Sequence, residues 1–420
     1  MMNKRTIGNI LSLYGFSFAK IVLPLITLPY LTRVLSVESY GLVAYTRSLI
    51  GYFQLFIDFG FVLSGTKKIV KFQDDRRIIS GIIGDIMIAR ILLAVISFPV
   101  LVLLSLIIPV FKGNELYLYL SFIPVFLTIF LFDFVFRGLE KMHLLTLRFF
   151  IMKGIATALT FVFVHQDIDV LWIPVLDIIG SIIAIIFVLI QLKKEELAIR
   201  YNGFKSAMLE LKDSAVFFIS NMSQTVFSAL NTIIIGVFLS VADVAFWSLC
   251  IQMVTAVQTM YQPITDGIYP QMVSTKNINV IKKILKFFMP IIGVGCIFTL
   301  IVSRYALIVV GGAKYADAEN VLRLLVPVMF FGFPCIIFGW PTLGAINKDR
   351  QVTISTIIGA AFQIICLLVL GLIGRFNLIT IAICRSLTEM LLFAIRYVTY
   401  RKYRTEFVTQ DSIYRDEKNN

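Results

Sequence analysis

The sequence has few of the side chains that most enzyme active sites need. It contains 2 histidines and 5 cysteines, and no two cysteines form a CxxC pair. P-loop and HExxH patterns are also absent. We therefore expect no catalytic residue, no metal site and no cofactor. The cysteines lie in apolar stretches and are interpreted as buried small apolar side chains.

Charged residues are also scarce, at 15% of the 420 residues, whereas apolar residues make up 59%. Ordinary soluble domains are about 25% charged and about 45–50% apolar. This composition excludes a soluble enzyme, a disordered chain and a coiled coil. The formal net charge is nevertheless +13, so the basic residues need an explanation of their own.

Apolar stretches long enough to cross a bilayer recur along the whole chain. They predict an all-α polytopic membrane protein with about 12 transmembrane helices. The predicted spans are 8–32, 40–63, 80–110, 116–137, 146–165, 169–192, 213–238, 243–270, 285–310, 321–345, 352–373 and 377–400.

The basic residues fix an orientation for these spans. If the N-terminus is cytoplasmic, nearly all lysines and arginines outside the spans fall in inner segments. The exceptions in outer segments are Arg33, Lys112, Lys314 and Arg375. By the positive-inside rule, both termini face the cytoplasm. The positive charge is then a topology signal, and we expect no nucleic acid as a partner.

The soluble segments between the spans are short, especially on the outer side. No outer loop is large enough for the catalytic domain of a lipid-dependent glycosyltransferase. The longer inner segment at mid-chain suggests two six-helix lobes joined by a linker. The predicted division is residues 1–192 for the N-terminal lobe, 193–212 for a cytoplasmic linker, 213–400 for the C-terminal lobe and 401–420 for a cytoplasmic tail.

A weak internal repeat relates the two predicted lobes. The tripeptide Leu35-Ser36-Val37 recurs as Leu239-Ser240-Val241, and polar residues coincide under the same offset. In spans 1 and 7 these stripes are Ser17, Lys20, Pro24 and Thr27, then Asn221, Gln224, Ser228 and Asn231. In spans 2 and 8 they are Arg47, Gly51, Gln54 and Asp58, then Ile251, Thr255, Gln258 and Gln262, with Asp266 one turn further.

Polar stripes in apolar helices face either partner helices or a water-filled cavity. Hydrogen bonding between helices explains the amides and hydroxyls as well as a cavity does. It explains Lys20 and Arg47 poorly, because a deep cation costs at least about 2.5 kcal/mol without an anion or water. Arg90 and Lys153 either line the same lobe or reach the interface. Arg385 and Glu389 are spaced as an ion pair on one helix.

Residues 28–69 carry a family resemblance. The segment LPYLTRVLSVESYGLVAYTRSLIGYFQLFIDFGFVLSGTKKI resembles the N-terminal signature of polysaccharide-export flippases of the O-antigen, or Wzx, type. These proteins belong to the MOP superfamily, together with lipid II flippases and MATE drug antiporters. The similar elements are the LP-x-LTRVL end of span 1, the YG that opens span 2, and the Gln54–Asp58–Phe59–Gly60–Phe61 exit before a basic loop.

The resemblance implies a V-shaped pair of six-helix lobes with spans 1, 2, 7 and 8 around a cavity. It implies an undecaprenyl-pyrophosphate-linked oligosaccharide as substrate, moved across a bacterial inner membrane by alternating access. Lys20 and Arg47 would hold the pyrophosphate. The glycan would contact Ser17, Gln54, Asn221, Gln224, Asn231, Thr255, Gln258 and Gln262, and coupling or gating would involve Asp58, Asp177 and Asp266. The protein is expected to contact membrane lipid, to be a monomer, and to work with a polysaccharide polymerase and a chain-length regulator.

Three other functions stay open on the sequence. A MATE-type cation-coupled drug antiporter would need acidic cavity residues, which Asp58, Asp177 and Asp266 could supply. A membrane scaffold for glycan synthases would not depend on the cavity residues. Lipid II flipping is disfavoured by the length of the chain and by the N-terminal signature. The sequence leaves open whether the glycan is O-antigen, capsule or another exopolysaccharide.

Overall fold

The structure of the protein is a computed structural model, which describes Gly15 and residues 22–407. For residues 216, 219–229, 266 and 270 it describes the backbone and not the side chain. The described residues are almost entirely helical. In chain order the helices are α1 (Val22–Val34), α2 (Val37–Asp58), α3 (Phe61–Lys71), α4 (Arg76–Ile107), α5 (Glu115–Leu127), α6 (Asp133–Gly138), α7 (Met142–Phe149), α8 (Ile155–Phe163), α9 (Trp172–Lys194), α10 (Phe204–Phe238), α11 (Val241–Thr259), α12 (Gln262–Thr275), α13 (Ile278–Gly311), α14 (Glu319–Ile337), α15 (Asp349–Leu372) and α16 (Leu378–Lys402).

Among the described residues, 10 helical segments are long and apolar enough to cross a bilayer. They begin with Val37–Lys71 and end with Leu378–Lys402, and each overlaps one predicted span. The shorter apolar helix α1 covers the end of predicted span 1, and α10 contains predicted span 7. The prediction of an all-α multi-pass membrane protein is confirmed.

The internal repeat is visible in how two pairs of helices meet. Helix α1 ends at Val34 and α10 ends at Phe238, while α2 begins at Val37 and α11 begins at Val241. The Ser36 hydroxyl accepts a hydrogen bond from the Ser39 amide at 3.1 Å, and the Ser240 hydroxyl accepts one from the Asp243 amide at the same distance. Serine is a preferred N-cap because its oxygen satisfies an amide of the first turn. The repeated tripeptide therefore marks two equivalent helix starts.

Predicted span 2 is broken near its C-terminal end. Phe59 and Gly60 both adopt positive φ angles, 39° and 79°, between α2 and α3. A Cβ on Gly60 would lie 2.6 Å from the Cβ of Phe217, so only glycine allows α10 to approach this break. Predicted span 8 is also interrupted, between α11 and α12.

The chain forms two compact units, Met1–Ala245 and Phe246–Asn420. In the first, α10 packs on α2, α3 and α4. The Tyr45 hydroxyl donates to the Ile233 carbonyl at 3.3 Å, and the Ser64 and Ser214 hydroxyls lie 2.6 Å apart. In the second unit, α14 packs on α13 and α16, and α16 packs on α15. The division into two six-helix lobes around a 193–212 linker stays a prediction.

The segment between α9 and α10 is fixed to the first unit. The Asp85 carboxylate on α4 accepts hydrogen bonds from the Asn202 amide at 3.1 Å, the Asn202 side chain at 2.9 Å and the Ser206 hydroxyl at 2.6 Å. A Cβ on Gly84 would lie 1.9 Å from the Arg200 carbonyl oxygen. The segment therefore docks directly on the backbone of α4.

Candidate functional site

One face of α2 carries the predicted polar stripe of Arg47, Gly51, Gln54 and Asp58. These residues are three or four positions apart, so they align on one side of the helix. The whole stripe lies in the first unit. Its two ends have different surroundings, which divide it into a closed end at Gln54 and Asp58 and an open end at Arg47 and Gly51.

At the closed end, Asp58 forms an ion pair with Arg90 of α4. The Arg90 side chain is only 7% exposed, whereas that of Asp58 is 32% exposed. The Gln54 amide donates to Asp58 Oδ2 at 2.8 Å and to Thr128 Oγ1 at 3.2 Å, and Arg90 donates to the Thr128 carbonyl at 3.1 Å. The four side chains form one hydrogen-bonded network that neutralises a buried arginine.

At the open end, the Arg47 side chain is exposed. A Cβ placed on Gly51, one turn along the stripe, would meet nothing within 4 Å. Arg47 therefore borders open space, where an anionic ligand could reach its guanidinium.

Asp177, predicted as a coupling or gating residue, has a cationic partner. Lys153, which lies between α7 and α8, donates to Asp177 Oδ1 at 2.7 Å. The two side chains are 41% and 27% exposed. Asp177 and Asp58, the two acidic candidates whose side chains the structure describes, are thus both in ion pairs.

The predicted residues of spans 1 and 7 are described unequally. Ser17 and Lys20 lie outside the described residues. Asn221 and Gln224 belong to the backbone of α10, and their side chains are outside the description. Asn231 is buried on α10. The prediction that Lys20 and Arg47 together hold one pyrophosphate stays a prediction.

The predicted residues of span 8 fall in the second unit. Gln258 on α11 donates to the Val328 carbonyl of α14 at 3.2 Å, which is the helix-joining role that the sequence left open for the amides. Thr255 is exposed, and Gln262 is exposed at the first position of α12. Asp266 lies on α12, with its side chain outside the description. Their proposed contact with a glycan stays a prediction.

Sequence reasoning missed Thr128 and the ion-pair partners of Asp58 and Asp177. Arg90 and Lys153 could be found as cations inside apolar spans, but their assignment to Asp58 and Asp177 requires knowing which helices are neighbours. Among the described residues, no group of three histidine, cysteine or acidic side chains could hold a metal ion. The site is therefore a set of polar and charged side chains in an apolar helical scaffold.

Known structures share this fold across nearly the whole chain. An inward-facing multidrug resistance MATE family transporter of the MOP superfamily superposes with a TM-score of 0.71 and 14% identity, covering 94% of this chain and 99% of the other. The lipid II flippase MurJ in an inward closed conformation gives 0.70 and 13%, covering 94% and 87%. At these identities the likeness concerns the fold, which is that of the MOP superfamily transporters.

Sequence comparisons show which family of proteins this chain belongs to. A relative from Escherichia coli (strain K12), described as "Putative O-antigen transporter", is 26% identical over 404 residues, which cover 94% of this chain and 96% of the relative. The family model described as "Polysaccharide biosynthesis protein" matches residues 7–276. This chain belongs to that family, as the N-terminal signature had predicted.

Proposed function

We propose that this protein is a flippase for a lipid-linked oligosaccharide. It would move an undecaprenyl-pyrophosphate-linked repeat unit from the inner to the outer leaflet of a bacterial inner membrane by alternating access. Membership of the polysaccharide biosynthesis family supports this, as do the similarity to an O-antigen transporter and the MOP-type fold. The similar proteins are transporters and a flippase, so transport is favoured over an enzymatic reaction.

The observation that carries the proposal is Arg47 at the open end of the stripe. An exposed guanidinium inside an apolar span has a high cost unless an anion or water is present. Arginine also matches phosphate geometry through two parallel N–H donors. Arg47, with Lys20, would hold the pyrophosphate. The glycan would contact Ser17, Gln54, Asn221, Gln224, Asn231, Thr255, Gln258 and Gln262.

The MATE-type drug antiporter is the weaker alternative, although the fold is shared with such a transporter. Cationic drugs require carboxylates that are available to the ligand. Asp58 is paired with Arg90, and Asp177 is paired with Lys153. Coupling or gating by Asp58 and Asp177 would then work by exchange of these partners, and Asp266 is the third proposed coupling or gating residue. Cooperation with a polymerase and a chain-length regulator, and a monomeric state, are further parts of the proposal.

The proposal is tested by deletion of the gene and complementation with variants. Surface polysaccharide and the sidedness of lipid-linked repeat units in membrane vesicles are measured together. We expect Arg47→Ala to lower surface glycan about tenfold or more, the loss typical of a charge-assisted hydrogen bond. Arg47→Lys should restore part of the export, because it keeps the charge. Lys112→Ala is the matched control, since it removes an exposed cation outside the stripe.

The two assays separate transport from expression. The proposal predicts that repeat units accumulate on the inner face in the deletion strain and in Arg47→Ala, at wild-type protein level. Normal sidedness in the deletion strain would contradict flipping. Normal surface glycan in Arg47→Ala would reject Arg47 as the pyrophosphate ligand. Loss of efflux of cationic dyes in the deletion strain would instead favour the drug antiporter.

A further inference from the structure

An apolar pocket of about 420 Å³ lies in the first unit, between α2, α4 and α10. Its α2 wall consists of Leu49, Tyr52, Phe53 and Phe56. These residues follow the i, i+3, i+4, i+7 spacing of one helix face. That face is opposite the polar stripe, so the same turns of α2 carry Arg47 on one side and the pocket on the other.

The walls of this pocket are almost entirely apolar, and Tyr52 and Ser97 are the two lining residues with a polar side-chain atom. The Ser97 hydroxyl on α4 donates to the Leu93 carbonyl at 2.8 Å, and no charged side chain lines the space. Apolar cavities of this kind stay free of water and bind apolar molecules. The occupant must therefore be hydrocarbon.

The pocket opens on the surface of α4. Ile96 and Val100 line it and are also 51% and 46% exposed. Helix α4 is one of the most apolar candidate membrane spans, so this surface faces the hydrocarbon of a bilayer. A chain would enter from the membrane and not from solution.

We propose that this pocket binds a segment of the polyprenyl chain of the lipid carrier. A 150 Å³ apolar cavity holds one benzene molecule, so about 420 Å³ accommodates roughly three groups of similar size, or about three isoprene units. The methyl-branched isoprenoid fills such a compact space better than a thin linear acyl chain does, and aromatic walls suit its methyl groups. The inference rests on the proposed function, because a head group at Arg47 brings its attached polyprenyl chain to the same turns of α2, and the chain would pass around the helix to reach the pocket on the opposite face.

The test is photolabelling of the full-length protein in phosphatidylcholine vesicles by a diazirine-bearing polyprenyl pyrophosphate. The labelled peptide should include residues 96–104 of α4. Val100→Trp, which fills the mouth, should lower this labelling about tenfold, as expected when roughly two methylene groups are expelled. Val95→Trp is the control, because Val95 is an exposed valine on α4 that does not line the pocket.

Competition identifies the occupant. Unlabelled polyprenyl pyrophosphate should abolish the labelling, while excess phosphatidylcholine should not. Equal labelling in Val100→Trp and Val95→Trp would overturn the pocket assignment, and so would equal competition by phosphatidylcholine. Labelling of the wild-type protein outside residues 96–104 would also overturn it, and this outcome needs no variant. Failure of the proposed function looks different, because the probe would then label no part of the protein and Arg47→Ala would export glycan normally.

Discussion

Asp58 and Arg90 form an ion pair that allows two charged side chains to lie within apolar helices. Arg90 is nearly buried and donates its hydrogen bonds to Asp58 and Thr128, and Gln54 donates to the same two residues. Removing one partner of a buried pair leaves an uncompensated charge, which costs more than the pair itself contributes. The two ion pairs of the site differ in burial and should therefore differ in their effect on stability.

We predict that Asp58→Asn lowers the free energy of unfolding by about 2–3 kcal/mol, because Arg90 loses its counter-charge while the side-chain shape is kept. Thermal unfolding of the purified protein in detergent measures this. Lys153→Ala removes a more exposed pair and should cost less than about 1 kcal/mol. Equal losses in the two variants would contradict a special role for the buried pair.

Which charges are paired was only partly predictable from the sequence. Arg385 and Glu389 are four residues apart on one helix, and their predicted ion pair is confirmed at 2.8 Å. Asp58 and Asp177 pair with residues from other helices. One sequence without an alignment carries no signal of helix neighbours, so these partners could not be assigned.

At the scale of elements, helix starts were more predictable than helix breaks. The repeated Leu-Ser-Val tripeptide marks the starts of α2 and α11, since serine capping is a local interaction. The break at Phe59 and Gly60 depends on the close approach of α10, which is a tertiary contact. The docking of residues 198–206 on α4 was also missed, because the polar segment resembled an ordinary linker.

We predict that Gly84→Ala destabilises the protein by about 2–3 kcal/mol, because the new Cβ would collide with the Arg200 carbonyl oxygen and force a backbone shift. Gly154→Ala is the matched control, since a Cβ there meets nothing within 4 Å. Its effect should stay within about 1 kcal/mol. Thermal unfolding of both variants measures the two losses of stability. An unchanged stability of Gly84→Ala would show that the segment is not held against α4.

We predict that Asp85→Ala releases the segment without unfolding the unit. The carboxylate accepts three hydrogen bonds from Asn202 and Ser206, so its loss should raise the rate of tryptic cleavage after Arg200 or Lys205 about tenfold. Limited proteolysis with mass spectrometry locates the cuts. Asp74→Ala, a change in an exposed loop, should leave the rate unchanged. Unchanged cleavage in Asp85→Ala would mean that other contacts hold the segment.

At the scale of the whole molecule, the fold class followed from hydropathy alone, because length and apolarity decide what can cross a bilayer, while the count of 12 spans stays a prediction. The orientation is a separate prediction from charge. Four of the native cysteines are buried and Cys366 is half-buried, so thiol labelling of added cysteines has a low background. This makes the orientation directly measurable.

We predict that Lys112→Cys reacts with a membrane-impermeant maleimide in intact spheroplasts, and that Lys205→Cys reacts only after the membrane is opened. Both positions are exposed, so the difference reports the side of the membrane. Gel-shift detection of the label measures it. The reverse pattern would place both termini outside the cytoplasm.

The packing of α10 has a consequence for how the chain assembles during synthesis. Its residues contact Tyr45 on α2, Gly60 at the break after α2, and Ser64 on α3. A ribosome must therefore produce and insert residues up to about Phe238 before the earliest helices reach their final neighbours. Until then, glycines and hydroxyls that will meet α10 face lipid or the insertion machinery. The first unit is completed by a helix that arrives last, so nascent chains halted before α10 should remain unfinished in the membrane.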